Sequence, residues 1–507
     1  MIFSCPGRGA ARSGALQSPG PSGCGWVPAK AAEQNQGLPP RYFALFHRWF
    51  LFGIAGFGCV MAILWLMIAK PIQAGMNADF RKILVLGASG LIGRFVTDDL
   101  RVRGFPVVGV ARKLSASQKG GALDLELPVM SMETATLARL LRDHRIDVVV
   151  NCLGVLQDGP GSDTSAVHRD FVERLLRAIR LVHISIPGTT ETDRTAFSTT
   201  KRVAERLIAE SGVAFTILRP GFVVALAAYG GSAMVRSLAA YPLDLPATER
   251  AAPFQPVAME DIAATVAWLA ARDSSEANAV TWDLMQEQPV TLGDVIDQFR
   301  EVFGTGRWRR IVMPTFVLDL GARLGDLANQ FGWMPPMRTT AIAELRRGVS
   351  GDPVDWIVAT GIVPKRIDQM AGKRGATIQD IWFARLFPIK ALVVASLVLF
   401  WVVSGFIALV ISYDAAAEIL RSHGFPPSVI APVTIGTSLM DMAIGALIAF
   451  RRTAGFGLIA GIVAALGYML GAAILTPDLW IEPLGTLVKT GPTVVLMLVA
   501  LLTLDNR

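Results

Sequence analysis

The stretch that decides the fold is Ile83-Leu84-Val85-Leu86-Gly87-Ala88-Ser89-Gly90-Leu91-Ile92-Gly93. Its first four residues are apolar and predict a buried parallel strand, and the residues after Gly93 form a helical run. In such a strand–turn–helix, Gly87 permits the tight turn, Gly90 lets the backbone approach a phosphate, and Gly93 lets the helix pack close to the strand. The helix N-terminus then offers free N–H groups to a pyrophosphate. The stretch predicts a nucleotide site, with a plain glycine turn as the alternative.

Five more motifs follow this turn in a fixed order. They are Val107-Val108-Gly109-Val110-Ala111-Arg112-Lys113, Ala122-Leu123-Asp124-Leu125, Asp147-Val148-Val149-Val150-Asn151-Cys152-Leu153-Gly154, Val182-His183-Ile184-Ser185 and Leu218-Arg219-Pro220-Gly221. Together with the glycine turn they resemble the short-chain dehydrogenase/reductase superfamily, on the extended, atypical side that includes NmrA-like proteins and the complex I accessory subunit type. The resemblance covers residues 80–385, with a variable substrate-side region at 221–385. It implies an α/β Rossmann-type, doubly wound parallel sheet.

The resemblance also implies which residues contact the nucleotide. In the family, an Asp after the third strand meets the adenine, and the turn after the fourth strand lies beside the cofactor. The residues predicted on this basis to bind the cofactor are Gly87, Ser89, Gly90, Leu91, Ile92, Gly93, Arg112, Lys113, Asp124, Leu125, Cys152, Leu153, Gly154, Lys201 and Pro220.

Arg112 and Lys113 bear on the choice of nicotinamide cofactor. An NAD site usually places an Asp or Glu about 20 residues after the glycines, where it holds the ribose hydroxyls. This chain places two cations there and no carboxylate before Asp124. Positive charges suit a 2′-phosphate, so NADP(H) is favoured over NAD(H), and a solvated strand end is the alternative.

The proton relay that the resemblance implies is incomplete. In the superfamily a Tyr-x-x-x-Lys pair on one helix face transfers the proton through the phenol. The matching residues here are Phe197-Ser198-Thr199-Thr200-Lys201, so the lysine is present and the hydroxyl is missing. Ser185 matches the family's serine after strand five, which leaves Ser185 and Lys201 as catalytic candidates. Either another group transfers the proton, or the domain binds nucleotide without the usual turnover.

The histidines and cysteines do not predict a metal site. The four cysteines are scattered, and neither residue type has metal-ligand spacing. His183 lies within the fifth-strand pattern and is expected to be a packed residue. His144 and His168 lie in polar helical stretches, so solvated side chains are expected for both.

Composition indicates a membrane domain. Hydrophobic residues make up 52% of the 507 residues and the mean hydropathy is +0.46, which is too apolar for a soluble chain of this size. A bilayer crossing needs about 20 apolar residues. Four such segments occur at residues 391–412, 428–450, 454–475 and 484–504. A four-span bundle after a dehydrogenase-like domain resembles the DoxX-like membrane domain of bacteria, so residues 386–507 are predicted to form an all-α, four-helix transmembrane bundle.

Cations flank these spans unevenly. Arg385 and Lys390 precede the first span, Arg451-Arg452 separates the second from the third, and Arg507 ends the chain. The positive-inside rule then predicts a multi-pass protein of the bacterial inner (plasma) membrane, with the nucleotide domain and C-terminus in the cytoplasm. Asp441 is the one acidic residue deep in a span, with a functional role and an interhelical hydrogen bond as equal alternatives.

The N-terminal 75 residues allow two interpretations. Residues 1–40 are rich in Gly, Pro, Ala and Ser, which predicts disorder, and the uncharged residues 49–69 are long enough for a transmembrane helix. In the alternative, the protein begins at Met76 and residues 1–75 are an untranslated upstream extension.

These patterns predict a membrane-anchored NAD(P)(H)-binding oxidoreductase-like protein of the atypical class. Its expected partners are the lipid bilayer and a lipophilic or quinone-like small molecule, with a membrane protein as a further candidate. The alternative is a non-catalytic nucleotide-sensing or assembly protein, which Phe197 favours. Nucleic acid is not expected. The basic stretch Arg307-Trp308-Arg309-Arg310 is interpreted as a solvated loop, with contact to an anionic membrane surface or an acidic ligand as the alternatives.

Overall fold

A computed structural model describes residues 81–114, 118, 124–159, 163–176, 180–273, 278–371, 375–481 and 485–504, and residues 47, 48, 50, 57, 58, 60 and 61. The chain divides into two compact units, Met1–Asp79 and Phe80–Arg507. The seven described residues of the first unit are helical. The predictions for residues 1–75, including the span at 49–69, otherwise lie outside the described residues.

A parallel sheet forms the centre of the second unit. The described strands are β1 Ile83–Leu86, β2 Val107–Ala111, β3 Leu125–Glu126, β4 Val148–Asn151, β5 Arg180–Ile184, β6 Ala214–Pro220, β7 Phe222–Val224, β8 Leu243–Asp244, β9 Pro256–Ala258, β10 Val280–Leu284 and β11 Ile311–Val312. Seven of them form one sheet in the order β10-β6-β5-β4-β1-β2-β3, and every neighbouring pair is parallel. The strand order reverses between β1 and β4, which creates the crevice where such sheets bind ligands.

The sheet domain also contains helices, several of which cover both faces of the sheet. They are α1 Leu91–Val102, α2 Thr134–Asp143, α3 Phe171–Leu175 (entered through a π-helical turn, Ala166–Asp170), α4 Ala196–Glu210, α5 Gly230–Ala240, α6 Ala247–Arg250, α7 Met259–Ala270, α8 Leu292–Phe303, α9 Thr315–Gln330, α10 Thr339–Arg347, α11 Val354–Thr360 and α12 Ile367–Met370. Ile83 and Val85 pack with α1 and α7, whereas Leu84 and Leu86 pack with α2, α3 and α4. Burial on both faces explains the unbroken apolar run of β1 and confirms the predicted doubly wound fold.

A further apolar cluster builds the region that follows β6. Val235 of α5, Ile296 of α8 and Leu318 of α9 belong to it. The helix α8 begins at a reciprocal cap, in which Thr291 N–H donates to Asp294 Oδ2 over 2.8 Å and Asp294 N–H donates to the Thr291 hydroxyl over 3.2 Å. This region falls within residues 221–385, for which the substrate-side role stays a prediction.

Apolar helices follow the sheet domain. They are α13 Ile378–Phe406 (continued by a π-helical turn, Ile407–Ile411), the short amphipathic α14 Tyr413–Ser422, α15 Pro427–Ala449, α16 Ala454–Leu475 and α17 Thr486–Leu502. In the described part of the chain, three segments are long and apolar enough to cross a membrane (residues 378–411, 427–449 and 454–475), and α17 provides a shorter apolar helix. The predicted boundary between residues 385 and 386 falls inside α13, so one continuous helix joins the two parts.

Small residues and one polar pair organise the bundle. A Cβ added at Gly445 would lie 2.6 Å from Val402 Cγ2, so the glycine permits the close approach of α13 and α15. The Tyr468 hydroxyl donates a hydrogen bond of 2.7 Å to Asp441 Oδ1 and links α16 to α15. Of the two alternatives for Asp441, the interhelical hydrogen bond is therefore present.

The sheet domain contacts one end of the bundle through α13 and through the α15–α16 turn. The first half of α13 packs against α5, and the Tyr241 hydroxyl donates to the Arg385 carbonyl over 2.7 Å. The Trp333 indole N–H donates to the Ala449 carbonyl over 2.7 Å, at the turn that contains Arg451.

Arg451 donates two hydrogen bonds at the same end of the bundle. Its backbone N–H donates to the Phe331 carbonyl over 3.0 Å, and its guanidinium donates to the Leu504 carbonyl over 2.7 Å. Lys390 Nζ donates to the Thr503 carbonyl close by. The sheet domain, the double-arginine turn and the end of α17 therefore lie at one end of the bundle.

Candidate nucleotide-binding site

The glycine turn is an open cradle at the carboxyl end of β1. Gly87 has a φ of +81°, and the N–H groups of Gly87 and Ala88 donate to the Val110 carbonyl over 2.9 and 3.1 Å. A Cβ added at Gly93 would overlap the Gly87 carbonyl oxygen, so only glycine fits there. Gly90 precedes α1, and no described side chain caps this helix. The first-turn N–H groups of α1 therefore remain available to a phosphate.

Of the other residues predicted to bind the cofactor, three belong to the glycine turn and its helix, and two lie on strands further along the chain. Ser89 lies in the turn, and Leu91 and Ile92 open α1. Leu125 opens β3, and Pro220 ends β6, where it is paired with Leu284 of β10.

The turn after β4 forms the neighbouring wall of the cradle. A Cβ added at Gly87 would lie 3.2 Å from Leu153 Cδ2 and 3.3 Å from the Cys152 carbonyl carbon. Leu153 N–H donates to Asn151 Oδ1 over 3.1 Å, which holds the turn against the end of its own strand. Burial raises the pKa of the Cys152 thiol to about 12, so the thiol is neutral. The structure thus brings together two segments that lie about 65 residues apart in the sequence.

Lys201, on α4, lies at the same edge of the sheet as this turn. Its amine is buried and donates to the Ile184 carbonyl, at the end of β5, over 2.8 Å. A Cβ added at Gly154 would lie 3.8 Å from Lys201 Nζ. Burial lowers the pKa of Lys201 to about 8, because the charged form loses its hydration. The site therefore contains an amine that changes charge near physiological pH.

His168 lies in the site, and the expectation that it is solvated was wrong. The ring is buried, and its Nε2 accepts a hydrogen bond of 3.1 Å from Val155 N–H. Its Nδ1 lies 2.9 Å from the Thr200 hydroxyl. The physical reason is the π-helical turn Ala166–Asp170, which departs from the regular helical period and directs the ring inward. The sequence pattern of a regular α-helix therefore could not reveal that His168 is buried.

Phe197 occupies the position of the absent phenol. Its ring contacts the His168 ring edge to face, with the centroids 5.7 Å apart. Burial, together with the charge of Lys201, lowers the pKa of His168 to about 3, so the imidazole is neutral. Because Nε2 accepts from a backbone N–H, the imidazole proton is assigned to Nδ1. Lys201 lies four residues after Phe197, on the same helical face.

Ser185 and His183 lie at the end of β5. Both side chains are buried, which confirms that His183 is a packed residue. His183 Nδ1 lies 3.2 Å from Asn151 Nδ2, and burial holds the pKa of His183 well below its usual value. The Ser185 N–H donates to the Leu218 carbonyl over 2.7 Å. A catalytic role for Ser185 stays a prediction.

Positively and negatively charged side chains both lie at the carboxyl end of β2. Arg112 and Lys113 are exposed there. Glu126 of β3 reaches the same strand end and accepts a hydrogen bond of 2.7 Å from Leu114 N–H. Sequence spacing could not show this carboxylate, because strand pairing brings it across from another element. The choice between NADP(H) and NAD(H) therefore involves three charged side chains.

Asp124 stands just before β3, not after the third strand as the resemblance implied. Its carboxylate is buried and accepts hydrogen bonds from Gly109 N–H over 2.9 Å and from Arg101 Nη1 over 3.1 Å. A Cβ added at Gly109 would lie 2.5 Å from Asp124 Oδ1, so glycine is required for this contact. Asp124 thus ties β2 to α1, and an adenine contact at this residue stays a prediction.

A buried ion-pair network, which the sequence did not predict, lies around the start of α4. Arg202 pairs with Asp193 over 2.7 Å and with Glu205 over 2.9 Å, and Arg219 pairs with Glu205 over 2.6 Å. Arg347 of α10 pairs with Asp193 over 2.9 Å. These charges neutralise one another and fix the loop between β5 and α4 against α10. Within the described residues, no group of His, Cys, Asp and Glu side chains is arranged to hold a metal ion.

Family comparisons agree with this architecture. Residues 83–278 match the NAD dependent epimerase/dehydratase family, and residues 398–498 match the DoxX-like family. Residues 24–71 match a family described as a predicted integral membrane protein, DUF2269. None of the curated proteins matches the chain. The chain is a membrane-associated, NAD-binding oxidoreductase-like protein. It combines a domain that matches the NAD dependent epimerase/dehydratase family with a C-terminal DoxX-like domain.

Several solved structures are similar to the sheet domain. The enzyme WbmG of Bordetella bronchiseptica, in complex with NAD, is 15% identical over 60% of this chain and 94% of its own, with a TM-score of 0.44. UDP-glucuronic acid 4-epimerase of Bacillus cereus, with UDP-glucuronic acid and NAD, is 12% identical over 60% of this chain and 99% of its own, with a TM-score of 0.43. A short-chain dehydrogenase/reductase superfamily protein of Agrobacterium tumefaciens, with bound NAD, is 14% identical over 62% and 99%, with a TM-score of 0.42. Because these TM-scores lie below 0.5, the domain assignment rests on the family models.

Proposed function

We propose that the chain is an NAD(P)(H)-dependent oxidoreductase of the bacterial inner membrane that acts on a lipophilic or quinone-like molecule, with its nucleotide domain in the cytoplasm. One observation carries the proposal. The glycine cradle at the uncapped start of α1 and the buried amine of Lys201 meet the same turn, Cys152 to Gly154, at the carboxyl edge of the sheet. Phosphate-binding backbone and an ionisable group are thus combined in one crevice.

The residues present fit a dinucleotide. The N–H groups at the start of α1 would hold the pyrophosphate, and Lys201 would hold the ribose, as the family resemblance implies. Arg112 and Lys113 would receive a 2′-phosphate. When bound, the nicotinamide supplies or accepts the hydride.

Lys201 is also the best candidate for moving a proton at this edge. Phe197 has no hydroxyl, the Cys152 thiol is held neutral, and the imidazole of His168 is neutral with both ring nitrogens in polar contact. The Lys201 amine, with its pKa lowered to about 8, can both lose and regain a proton near neutral pH.

The attachment of the sheet domain to the bundle supports a lipophilic substrate. The helix α13 passes from α5 into the apolar bundle without a break, and Trp333 holds the α15–α16 turn. A molecule dissolved in the bilayer therefore has a short path to this domain. Arg451 and Lys390 lie at the same end of the bundle, which favours the cytoplasmic orientation.

The test is to purify the whole protein in detergent, identify any nucleotide it retains, and measure oxidation of NADPH by water-soluble quinone analogues. Gly90→Asp places a carboxylate in the cradle and should abolish both nucleotide retention and turnover. Gly306→Asp is the matched control, since a Cβ added at Gly306 meets no described atom within 4 Å. Nucleotide binding by Gly90→Asp at the unaltered protein's affinity would refute the proposed site.

Phe197 favours a second candidate, a nucleotide-sensing or assembly protein that binds the cofactor without turnover. In that case the unaltered protein binds NADPH but oxidises no quinone and reduces no carbonyl compound. Phe197→Tyr restores a hydroxyl four residues before Lys201 and should then raise carbonyl reduction by about 10²- to 10⁴-fold, the usual range for general acid–base catalysis. Phe197→Leu, which alters the same side chain but adds no hydroxyl, is the control.

A further inference from the structure

The helix α9 has two apolar faces, and only one of them is packed. Leu318, Ala322 and Gly325 are buried against the sheet domain. The opposite face carries Phe316, Leu320, Leu324 and Leu327, whose exposed fractions are 68%, 53%, 56% and 49%. Their spacing of four, four and three residues places them on one side of the helix. A soluble surface seldom presents large apolar side chains in such a row.

The packed face holds α9 firmly in this orientation. A Cβ added at Gly325 would overlap the Met337 carbonyl oxygen, and one added at Gly321 would overlap the Met337 side chain. Asp326 accepts hydrogen bonds from the Thr339 hydroxyl over 2.6 Å and from Gln157 Nε2 over 2.9 Å. The outer apolar face is therefore a fixed feature of the domain surface.

The end of α9 leads directly to the membrane bundle. Phe331, the residue after the helix, contacts Phe450 with ring centroids 5.2 Å apart, and Trp333 donates to the Ala449 carbonyl. Because α15 and α16 are apolar enough to span a bilayer, the turn between them must emerge at the bilayer surface. Met334, which is largely exposed, continues the apolar surface from α9 toward this turn.

Exposed basic side chains occur on α9 and on two segments next to it. Arg323 is exposed on α9 beside the apolar row, and Arg452 is exposed on the α15–α16 turn. Arg307 and Arg309 are exposed in the segment that leads to α9. An apolar helix face with a cationic border matches the boundary between anionic headgroups and acyl chains.

We propose that the outer face of α9 is a membrane-interface site, which inserts Phe316, Leu320, Leu324 and Leu327 among the lipids of the leaflet nearest the sheet domain. The occupant of the surface is the anionic lipid bilayer that already contains the bundle. The site is independent of nucleotide binding. It holds the domain flat on the leaflet, in addition to the tether that α13 provides.

The experiment measures the depth of single nitroxide labels on the whole protein in lipid nanodiscs. Cys5, Cys24, Cys59 and Cys152 are replaced by serine, and labels are attached through Leu320→Cys or Leu324→Cys. The nanodiscs contain phosphatidylcholine with phosphatidylglycerol. Collision rates are measured with oxygen, which concentrates in the bilayer, and with a water-soluble nickel chelate. The control is Val102→Cys, at the end of α1, where an apolar side chain is 88% exposed.

Labels at positions 320 and 324 should collide with oxygen several-fold more, and with the nickel chelate several-fold less, than the label at 102. Nickel collisions at 320 and 324 as frequent as those at 102 would overturn the proposal. Protection that persists in lipid-free amphipol, accompanied by dipolar broadening between labels on two molecules, would also overturn it and would assign the face to a second copy of this chain.

Discussion

The environment of Lys201 determines when the candidate site carries a positive charge. Its amine is buried, it donates to the Ile184 carbonyl, and its pKa is lowered to about 8 by burial. His168 and Cys152, its ionisable neighbours in the cradle wall, are both neutral at pH 7 because burial lowers the pKa of the first and raises that of the second. Among these three groups, only the lysine therefore changes its charge near neutral pH.

Nucleotide affinity should fall as the pH rises through about 8. Below that pH the charged amine attracts the anionic ligand, and above it the attraction is lost. Loss of a charge-assisted hydrogen bond worth about 1.5 kcal/mol corresponds to about tenfold in affinity. Calorimetry on the unaltered protein should show this step, and Lys201→Met should bind weakly with no step. With NADH, which lacks the 2′-phosphate that itself titrates near pH 6, a step near pH 6.5 would instead identify a histidine and contradict the neutral assignment of His168.

The same pKa shift has a consequence for folding. Because the pKa of Lys201 in the folded protein lies below the ordinary value of 10.5, burying the charged amine costs folding free energy at pH values below about 8. That cost should diminish as the pH rises from about 8 toward 10.5, since the unfolded chain binds more protons in this window.

Cofactor choice should depend on the three charges at the exit of β2. NADPH is expected to bind more tightly than NADH, because Arg112 and Lys113 can pair with the 2′-phosphate. Arg112→Ala should remove most of the difference. Glu126→Gln should increase it, because the carboxylate at Leu114 N–H repels the phosphate. Titration of each variant with NADPH and with NADH measures the difference in affinity. A preference of the unaltered protein for NADH would contradict the predicted role of Arg112 and Lys113.

Among the structural elements, those with a local pattern were predicted best. The strands β1, β2 and β4 match the sequence motifs because a strand buried on both faces must be a continuous apolar run. The glycine cradle was predictable for the same reason, since its turn, its helix start and its strand are contiguous. Asp124 was assigned to the wrong side of β3, because a two-residue strand has too little pattern to locate.

Features that depend on distant partners could not be predicted in this way. The pair between Arg347 and Asp193 joins residues 154 positions apart. The position of Glu126 follows from the pairing of β2 with β3. His168 was missed for a different, local reason, because its position follows from a π-helical turn. The boundary between the two domains within α13 was also invisible as a break, because the helix continues from the sheet domain into the bundle.

The topology of the spans can be tested at two of the connecting turns. A reporter that is active only in the periplasm should be active when fused after Pro477, beyond α16. The same reporter fused after Arg452 should be silent, because that turn lies at the end of the bundle that contacts the sheet domain. A reporter that matures only in the cytoplasm should give the reverse pattern at both positions. Activity of the periplasmic reporter after Arg452 would place the nucleotide domain outside the cytoplasm and contradict the predicted orientation.

In the whole molecule, the sheet domain and the bundle are joined by more than a linker. The helix α13 lies against α5 before it enters the bundle, and the segment that follows α9 holds the α15–α16 turn. Arg451 links this turn both to Phe331 and to the end of α17. The sheet domain therefore contacts the apolar helices at two places, along the start of α13 and at the α15–α16 turn.

The Trp333 contact provides a direct test of this attachment. Trp333→Phe keeps an aromatic ring but removes the N–H that donates to the Ala449 carbonyl, at a cost of about 0.5–1.5 kcal/mol. The amide of Arg451, which donates to Phe331, should then exchange its hydrogen about 2- to 10-fold faster, as that free energy implies. Nucleotide affinity should be unchanged, because Trp333 lies outside the glycine cradle.

Trp308→Phe is the matched control for this measurement. Its ring is partly exposed and lies against the Arg385 guanidinium, away from the α15–α16 turn, so its replacement should leave the exchange rate of the Arg451 amide unaltered. Hydrogen exchange followed by mass spectrometry of the peptides that contain residues 331–337 and 450–453 distinguishes the two variants. If Trp333→Phe and Trp308→Phe exchange alike at Arg451, the indole contact does not hold the sheet domain to the bundle, and α13 and the contacts of Phe331 must provide the attachment.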